Sequence, residues 1–344
     1  MNADPVQEIP GGDAFPSITD LGATGPAQQE LHRRAWTATR SRFGDSVFVR
    51  GVVEISNHCR ENCHYCGMRR ENRDLKRYRG RLDSLLELLV HRRPGSITDL
   101  NLQAGEDPVA VREIAIPLIQ TLRRETPLGI SVCLGTLSKD LSAELLEAGA
   151  TTYIIKFESS QEALYRSFEA PGTLAERLSH IRWLAGNGWN VSSGFISGLP
   201  GQGIEGLLGD IQAALDLPLI GCSVSPFVPG ESTPLRDASS GGFDPTLNAM
   251  ALLRILRPDW VIPAVSALNI VGADLGYRGG LRAGANLCTI NLTPTEMRGD
   301  YLLYKRDRFI MDEDRVLSAI AQEGLTVSRK SLAAFLAAQT QDHS

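Results

Sequence analysis

The chain has 344 residues, 42% of them hydrophobic and 22% charged, and a formal net charge of −5. This is the balance of a globular protein with a large core, and it lacks the basic surplus that nucleic-acid binding favours. No apolar run is long enough to cross a bilayer, and the N-terminal stretch MNADPVQEIPGGDAF has no basic region followed by an apolar one. Neither a membrane span nor a secretory leader is expected, and the cytoplasm is the expected compartment.

Residues 1–25 are rich in Pro, Gly and Ala and are expected to form a loosely held tail, followed by one domain over 26–344. A helix is predicted over 27–43. After it, β-rich runs recur at 47–56, 97–105, 129–136, 151–159, 189–197, 219–227, 259–267 and 287–293. Helical segments such as VREIAIPLIQTLRRE and LAERLSHIRWLAGNG separate them. Strands alternating with helices predict parallel βαβ units, and continuous Val/Ile/Leu-rich strands predict a sheet covered on both faces. Eight such runs predict a complete (β/α)8 barrel, an α/β fold of the TIM type. Gly149, Gly188 and Gly284 stand where helices should end.

Directly after the first strand comes NHCRENCHYCGMRREN, with Cys59, Cys63 and Cys66 spaced C-x3-C-x2-C. The six cysteines of the chain are too few for a disulfide scaffold, and a reducing compartment favours metal or catalytic use of a cluster of them. In a barrel, the loop after a strand lies on the face that builds active sites. Cubane iron–sulfur clusters usually take four thiolates, so three leave one iron open to another ligand. The competing reading is a structural zinc ion completed by His58 or His64. Cys133, Cys222 and Cys288 fall in predicted strands and are expected to pack as small buried hydrophobes.

The C-x3-C-x2-C loop after a barrel strand, with Tyr65 just before its last cysteine, resembles the hallmark of radical S-adenosylmethionine (SAM) enzymes. The longer stretches GVVEISNHCRENCHYCGMRRENRDLKRYR, LQAGEDP, LGTLS, SGFISGLPGQ, PFVPGESTPL, RPDWVIPAVSAL and RAGANLCTINLTPTEMR are similar to the biotin synthase-like group. That group includes the [FeFe]-hydrogenase maturase HydE and the methylornithine synthase PylB. The resemblance spans roughly residues 30–330 and implies the barrel of the radical SAM kind. It also implies a [4Fe-4S] cluster on Cys59, Cys63 and Cys66, with SAM on the fourth iron, cleaved reductively to a 5′-deoxyadenosyl radical.

Matching positions carry further implied roles. Gly105 and Glu106 lie near the SAM α-amine, Glu158 binds polar groups such as the ribose hydroxyls, and Arg177 pairs with the methionine carboxylate. Ile196 and Gly198 pack on adenine, and Tyr65 contacts it through its backbone. An electron donor such as a flavodoxin or ferredoxin is implied as a partner.

Several departures narrow the expectation. The strand positions that hold a second cluster in biotin synthase fall here on Ser131, Ser192 and other non-cysteine residues, so sulfur insertion has no evident donor. The C-terminal region lacks the cysteine group found in many hydrogenase maturases, and Phe157 stands where maturases tend to have histidine, at a strand end where it could face the substrate. Expected substrate contacts are Ser131, Lys156, Ser192, Ser225, Ser266, Asn269, Asn291, Thr293 and Thr295. These predict a small amino-acid-like substrate that loses a hydrogen and then rearranges or fragments, as in methylornithine synthase. The alternatives are a HydE-like maturase acting on an organometallic or thiol-containing precursor, and a non-catalytic iron–sulfur or zinc protein.

Overall fold

The computed structural model describes residues 17–272, 275–306 and 310–341. Seven strands form one parallel sheet: β1 Ser46–Ser56, β2 Asp99–Ala104, β3 Gly129–Cys133, β4 Thr152–Ile154, β5 Asn190–Ser197, β6 Gly221–Pro226 and β7 Leu287–Asn291. Their order is β6-β5-β4-β3-β2-β1-β7, so the chain's first strand lies inside the sheet, between β2 and β7. Apolar residues such as Val49, Val53, Leu100, Leu102, Ile130 and Val132 form the outer face under the helices, whereas the inner face carries polar residues around a cavity. Helices Ile116–Glu125, Lys139–Ala148, Leu174–Gly186, Ile204–Leu215 and Phe243–Leu256 form the outer layer. Lys139–Ala148 ends as the sequence predicts, with Gly149 in the left-handed region at φ 115°.

The complete eight-stranded barrel expected from the sequence is present in part. The run 259–267 does not form a regular strand. Val261 makes a single parallel bridge to Gly221 of β6, and Pro263 makes one to Leu287 of β7. Pro263 removes a backbone donor from the middle of this segment and Pro258 one from the residue before it, which keeps the run from a continuous ladder. A two-residue strand the sequence did not suggest, β8 at Thr326–Val327, pairs with the start of β1 instead.

Of the loose tail expected over 1–25, residues 1–16 lie outside the described residues. The remainder includes the helical turn Ile18–Leu21, closed by a capping box between Ser17 and Asp20, with Leu21 fully buried. At the opposite end of the chain, helix Leu332–Gln341 covers the base of the sheet. The carboxylate of Asp99, on β2, accepts from the backbone N–H groups of Leu332 and Ala333 at 2.7 and 3.1 Å and so caps that helix. Leu332 and Leu336 pack against Phe48, Val261 and Leu287 there.

Candidate active site

A cavity of about 370 Å³ runs inside the sheet, from the loop after β1 down to Leu332. Cys59, Cys63 and Cys66 all line it, so the trio that is close in sequence is also gathered at one mouth. What holds their loop is an arginine that sequence reading missed. Arg77 donates to four backbone carbonyls, those of Asn57, Met68, Arg69 and Asn72, and ties both ends of the cysteine segment together. Arg79 forms a two-pronged pair with Asp107, whose carboxylate also accepts from the Ser56 hydroxyl. Burial opposes charge on Asp107, but Arg79 and Ser56 outweigh it and hold its carboxyl below the usual range.

Burial pushes the thiols of Cys59 and Cys63 up, and that of Cys66 to about 12. Without a bound cation these groups are neutral, and metal binding must displace their protons. The backbone N–H of Glu106 already donates to Cys59 Sγ at 3.3 Å. His64, a possible zinc ligand, instead directs its Nε2 to Glu169 Oε1 at 3.2 Å. Among the described residues, no three His, Cys, Asp or Glu side chains converge as a mononuclear ion needs.

Gly105 leaves no room for a side chain, because a Cβ there would collide with the His58 carbonyl and Cys59 Cβ. Gly105→Ala is expected to cost about 2 kcal/mol of stability through overpacking. It should also lower the iron retained after anaerobic reconstitution, measured by iron content against a thermal melt; an unchanged melt and iron load would contradict the close approach.

The other expected cofactor contacts fall into two groups. Tyr65, Gly105, Glu106, Glu158, Arg177 and Ile196 line the cavity. Gly198 does not. Its amide donates to Gln202 Oε1 at 2.5 Å, and at φ 82° it serves the turn after β5. The Glu106 carboxylate is committed to Arg60 and to the Thr136 backbone N–H. Arg177 is buried at 5% exposure, and Nε donates to the Tyr165 hydroxyl at 3.3 Å. Among the described residues no carboxylate lies within ion-pair distance of it, so its guanidinium is available to an anionic ligand. Glu158 Oε2 lies 3.0 Å from Lys156 Nζ, close enough for an ion pair, although the angle is too poor for a hydrogen bond.

The expected substrate contacts divide as well. Lys156, Ser192, Ser225, Ser266 and Asn291 line the cavity. Ser131 does not, because its hydroxyl is used within the wall on Leu100 O and Asn101 Oδ1. Thr293 is buried and accepts from the Glu54 N–H, and Asn269 Oδ1 accepts from the Tyr277 N–H. Thr295 is exposed on the short helix Thr295–Arg298. Phe157 is fully buried against Phe195 in the core and does not face the cavity. Cys222 and Cys288 are core residues as expected, whereas Cys133 lines the cavity.

One cavity residue had no sequence signal. Arg50, on β1, lines the cavity deep in the sheet, and among the described residues it donates only to Thr289 Oγ1, at 3.3 Å. Asp99 lies near enough to be felt electrostatically but not within ion-pair distance. Burial lowers the pKa of this guanidinium.

Residues 53–214 match the model of the radical SAM superfamily. The chain is also 32% identical over 298 residues to the [FeFe] hydrogenase maturase subunit HydE of Thermotoga maritima, covering 87% of this chain and 84% of that protein. The chain belongs to the radical SAM superfamily. A second relative, 3-methylornithine synthase of Methanosarcina acetivorans, is 24% identical over 299 residues, 86% of this chain and 83% of its own. Among solved structures, methylornithine synthase (PylB) superposes with a TM-score of 0.80 at 24% identity, over 90% of this chain and 92% of that one. At that identity the likeness speaks for the fold. Radical SAM membership implies a [4Fe-4S] cluster and SAM, and the residues present fit both. Three thiols, one buried and two half-buried, line one cavity, a glycine gives close backbone approach, and among the described residues a buried guanidinium without a carboxylate stands in the same cavity.

Proposed function

We propose that this radical SAM enzyme, a complete (β/α)8 barrel once the segment 261–263 is counted as its eighth stave, acts on a small amino-acid-like substrate. It would remove a hydrogen and initiate carbon-skeleton rearrangement or fragmentation. The observation that carries the reading is the shared cavity. Its rim holds the cysteine trio, and its apolar interior carries hydroxyls, amides, the cations Arg50, Lys156 and Arg177, and the carboxylates Glu54 and Glu158. About 370 Å³ is in the range of small-molecule sites.

When bound, the cluster and SAM supply a 5′-deoxyadenosyl radical, and the protein supplies placement and exclusion of water. Cys59, Cys63 and Cys66 hold the cluster. Arg177 presents its planar fork to the methionine carboxylate, a geometry that suits this residue. Glu158 receives the ribose hydroxyls, Gly105 and Glu106 face the α-amine, and Ile196 and the Tyr65 backbone flank adenine. Arg50 receives the substrate carboxylate, a role supported by its having no carboxylate within ion-pair distance among the described residues. Ser192, Ser225, Ser266 and Asn291 orient the remainder. Burial disfavours the Lys156 ammonium, but Glu158 and Tyr304 raise its pKa overall, so it remains a charged donor on the cavity wall. The reducing electron comes from a cytoplasmic flavodoxin or ferredoxin.

A second reading is favoured by the HydE relationship, the stronger of the two in identity. Arg50 and Lys156 would then receive an anionic organometallic or thiol-containing precursor. Anaerobic incubation with SAM, dithionite and candidate deuterated amino acids separates the two. The expected result is substrate-dependent 5′-deoxyadenosine carrying deuterium from an amino acid. Label transfer only from a thiol or organometallic compound supports the maturase reading. An iron-loaded protein that forms no 5′-deoxyadenosine at all overturns both.

A further inference from the structure

Outside the cavity lies a carboxylate that the proposed chemistry does not use. Asp210, on helix Ile204–Leu215, is fully buried. Its Oδ1 accepts from the Ser160 backbone N–H at 2.5 Å and the Ser160 hydroxyl at 2.6 Å. Its Oδ2 accepts from the Gln202 side-chain amide at 2.7 Å. No cation neutralises it among the described residues, and all its resolved partners are neutral.

Each end of this bridge reaches a different wall of the cavity. Ser160 lies two residues beyond Glu158 in the loop after β4. Gln202 closes the turn after β5: its amide nitrogen also donates to Ile196 O at 2.9 Å, and its Oε1 accepts from the Gly198 N–H. The two walls meet directly as well, since the Ile196 N–H donates to Glu158 O at 2.8 Å. Glu158 itself sits at φ 63°, a left-handed conformation unfavourable for a non-glycine residue unless its surroundings hold it there.

We infer that Asp210 is a positioning residue for SAM, fixing through Ser160 the loop that presents Glu158 and through Gln202 the turn that presents Ile196. This rests on the reading of Glu158 and Ile196 as SAM contacts. A purely structural role would be served as well by a neutral or apolar group. Burying an unpaired carboxylate costs stability, and burial pushes the Asp210 carboxyl up to about 6. The charge has one advantage over an amide: it accepts at both ends. In Asp210→Asn one end must set N–H against N–H. Gln202 cannot turn over to relieve it without losing its bonds to Gly198 and Ile196.

Cluster-loaded D210N is expected to bind SAM about tenfold more weakly by calorimetry, the scale of one buried hydrogen bond. KM for SAM in dithionite-driven 5′-deoxyadenosine formation should rise by the same factor with kcat little changed. Iron content should match wild type, and the thermal midpoint at neutral pH should be equal or higher. Combined with Glu158→Gln, its further weakening of SAM binding should be smaller than in wild type, because the two share the Glu158 contact and only the Ile196 turn is left for D210N to disturb. Gln202→Met cuts the same link from the other side and should reproduce the weakening if D210N folds poorly. Wild-type affinity in both variants overturns the proposal, as does weakening accompanied by a lowered melt and lost iron, which marks a structural residue. If wild-type protein itself fails to bind SAM, the underlying reading falls first, and the role of Asp210 with it.

Discussion

Protein carrying Cys66→Ser is expected to retain its fold yet form no 5′-deoxyadenosine above background after anaerobic reconstitution with iron, sulfide, SAM and dithionite. The substitution is nearly isosteric, and the loop around Cys66 is ordered by contacts that do not involve its sulfur. These are chiefly the Arg77 bonds to four carbonyls and the Asn72 side-chain amide on Gly67 O. The apo protein should therefore melt within about 1 kcal/mol of wild type. Ligation is a different matter. The Cys66 thiol is already raised to about 12 by burial, and a cluster offsets that because it strongly favours the thiolate. A serine hydroxyl starts from a far higher pKa and cannot supply the anion. Iron and acid-labile sulfide per chain, the brown absorbance, and 5′-deoxyadenosine should fall together. A variant that keeps its iron and its SAM cleavage, or a wild type that loads zinc and stays colourless, would remove the foundation of the functional reading.

Arg50→Met should move stability and turnover in opposite directions. Arg50 stands six residues before the end of β1, placing its Cα about 20 Å below the rim at the usual rise per strand residue. A guanidinium in the interior with one hydrogen bond and no ion pair is costly, and a flexible apolar side chain of similar reach removes that cost. The apo protein is expected to gain about 1–2 kcal/mol in denaturant unfolding. If Arg50 holds the substrate carboxylate, loss of that charged contact should lower substrate-dependent kcat/KM by about a hundredfold or more. Uncoupled cleavage of SAM, which depends on groups at the rim, should change little. Equal losses in coupled and uncoupled cleavage would deny Arg50 a substrate role.

How much of this was legible beforehand differs residue by residue. The cysteine trio was fully legible, since its ligands lie on one short loop and their spacing is itself the signal. Arg177 and Glu158 could be read through family motifs, and both line the cavity. Arg50 could not, because a lone arginine in SVFVRGVV gives no sign of whether it meets solvent or an interior. Arg77 was hidden for another reason: its work is on backbone carbonyls, which no side-chain pattern reveals.

The hydroxyls show the limit most plainly. Ser131 and Cys133 share one face of β3 by strand alternation, yet only Cys133 reaches the cavity. Ser131 lies level with Asn101 and Thr152, which do line the cavity, but its hydroxyl is tied into the wall by Leu100 O and Asn101. In the fold, the alternation of strands and helices was clear, and the failure at 259–267 came from weighing its Trp, Val and Ile above Pro263 at its centre.

The helix at the base has a bearing on traffic. Leu332 both lines the cavity and joins the apolar plug of Phe48, Val261, Leu287 and Leu336, so the lower end of the cylinder is stoppered by greasy side chains. On the reading proposed above, cofactor and substrate would both enter past the sulfur-bearing loop at the top, since among the described residues the lower end is closed by these side chains.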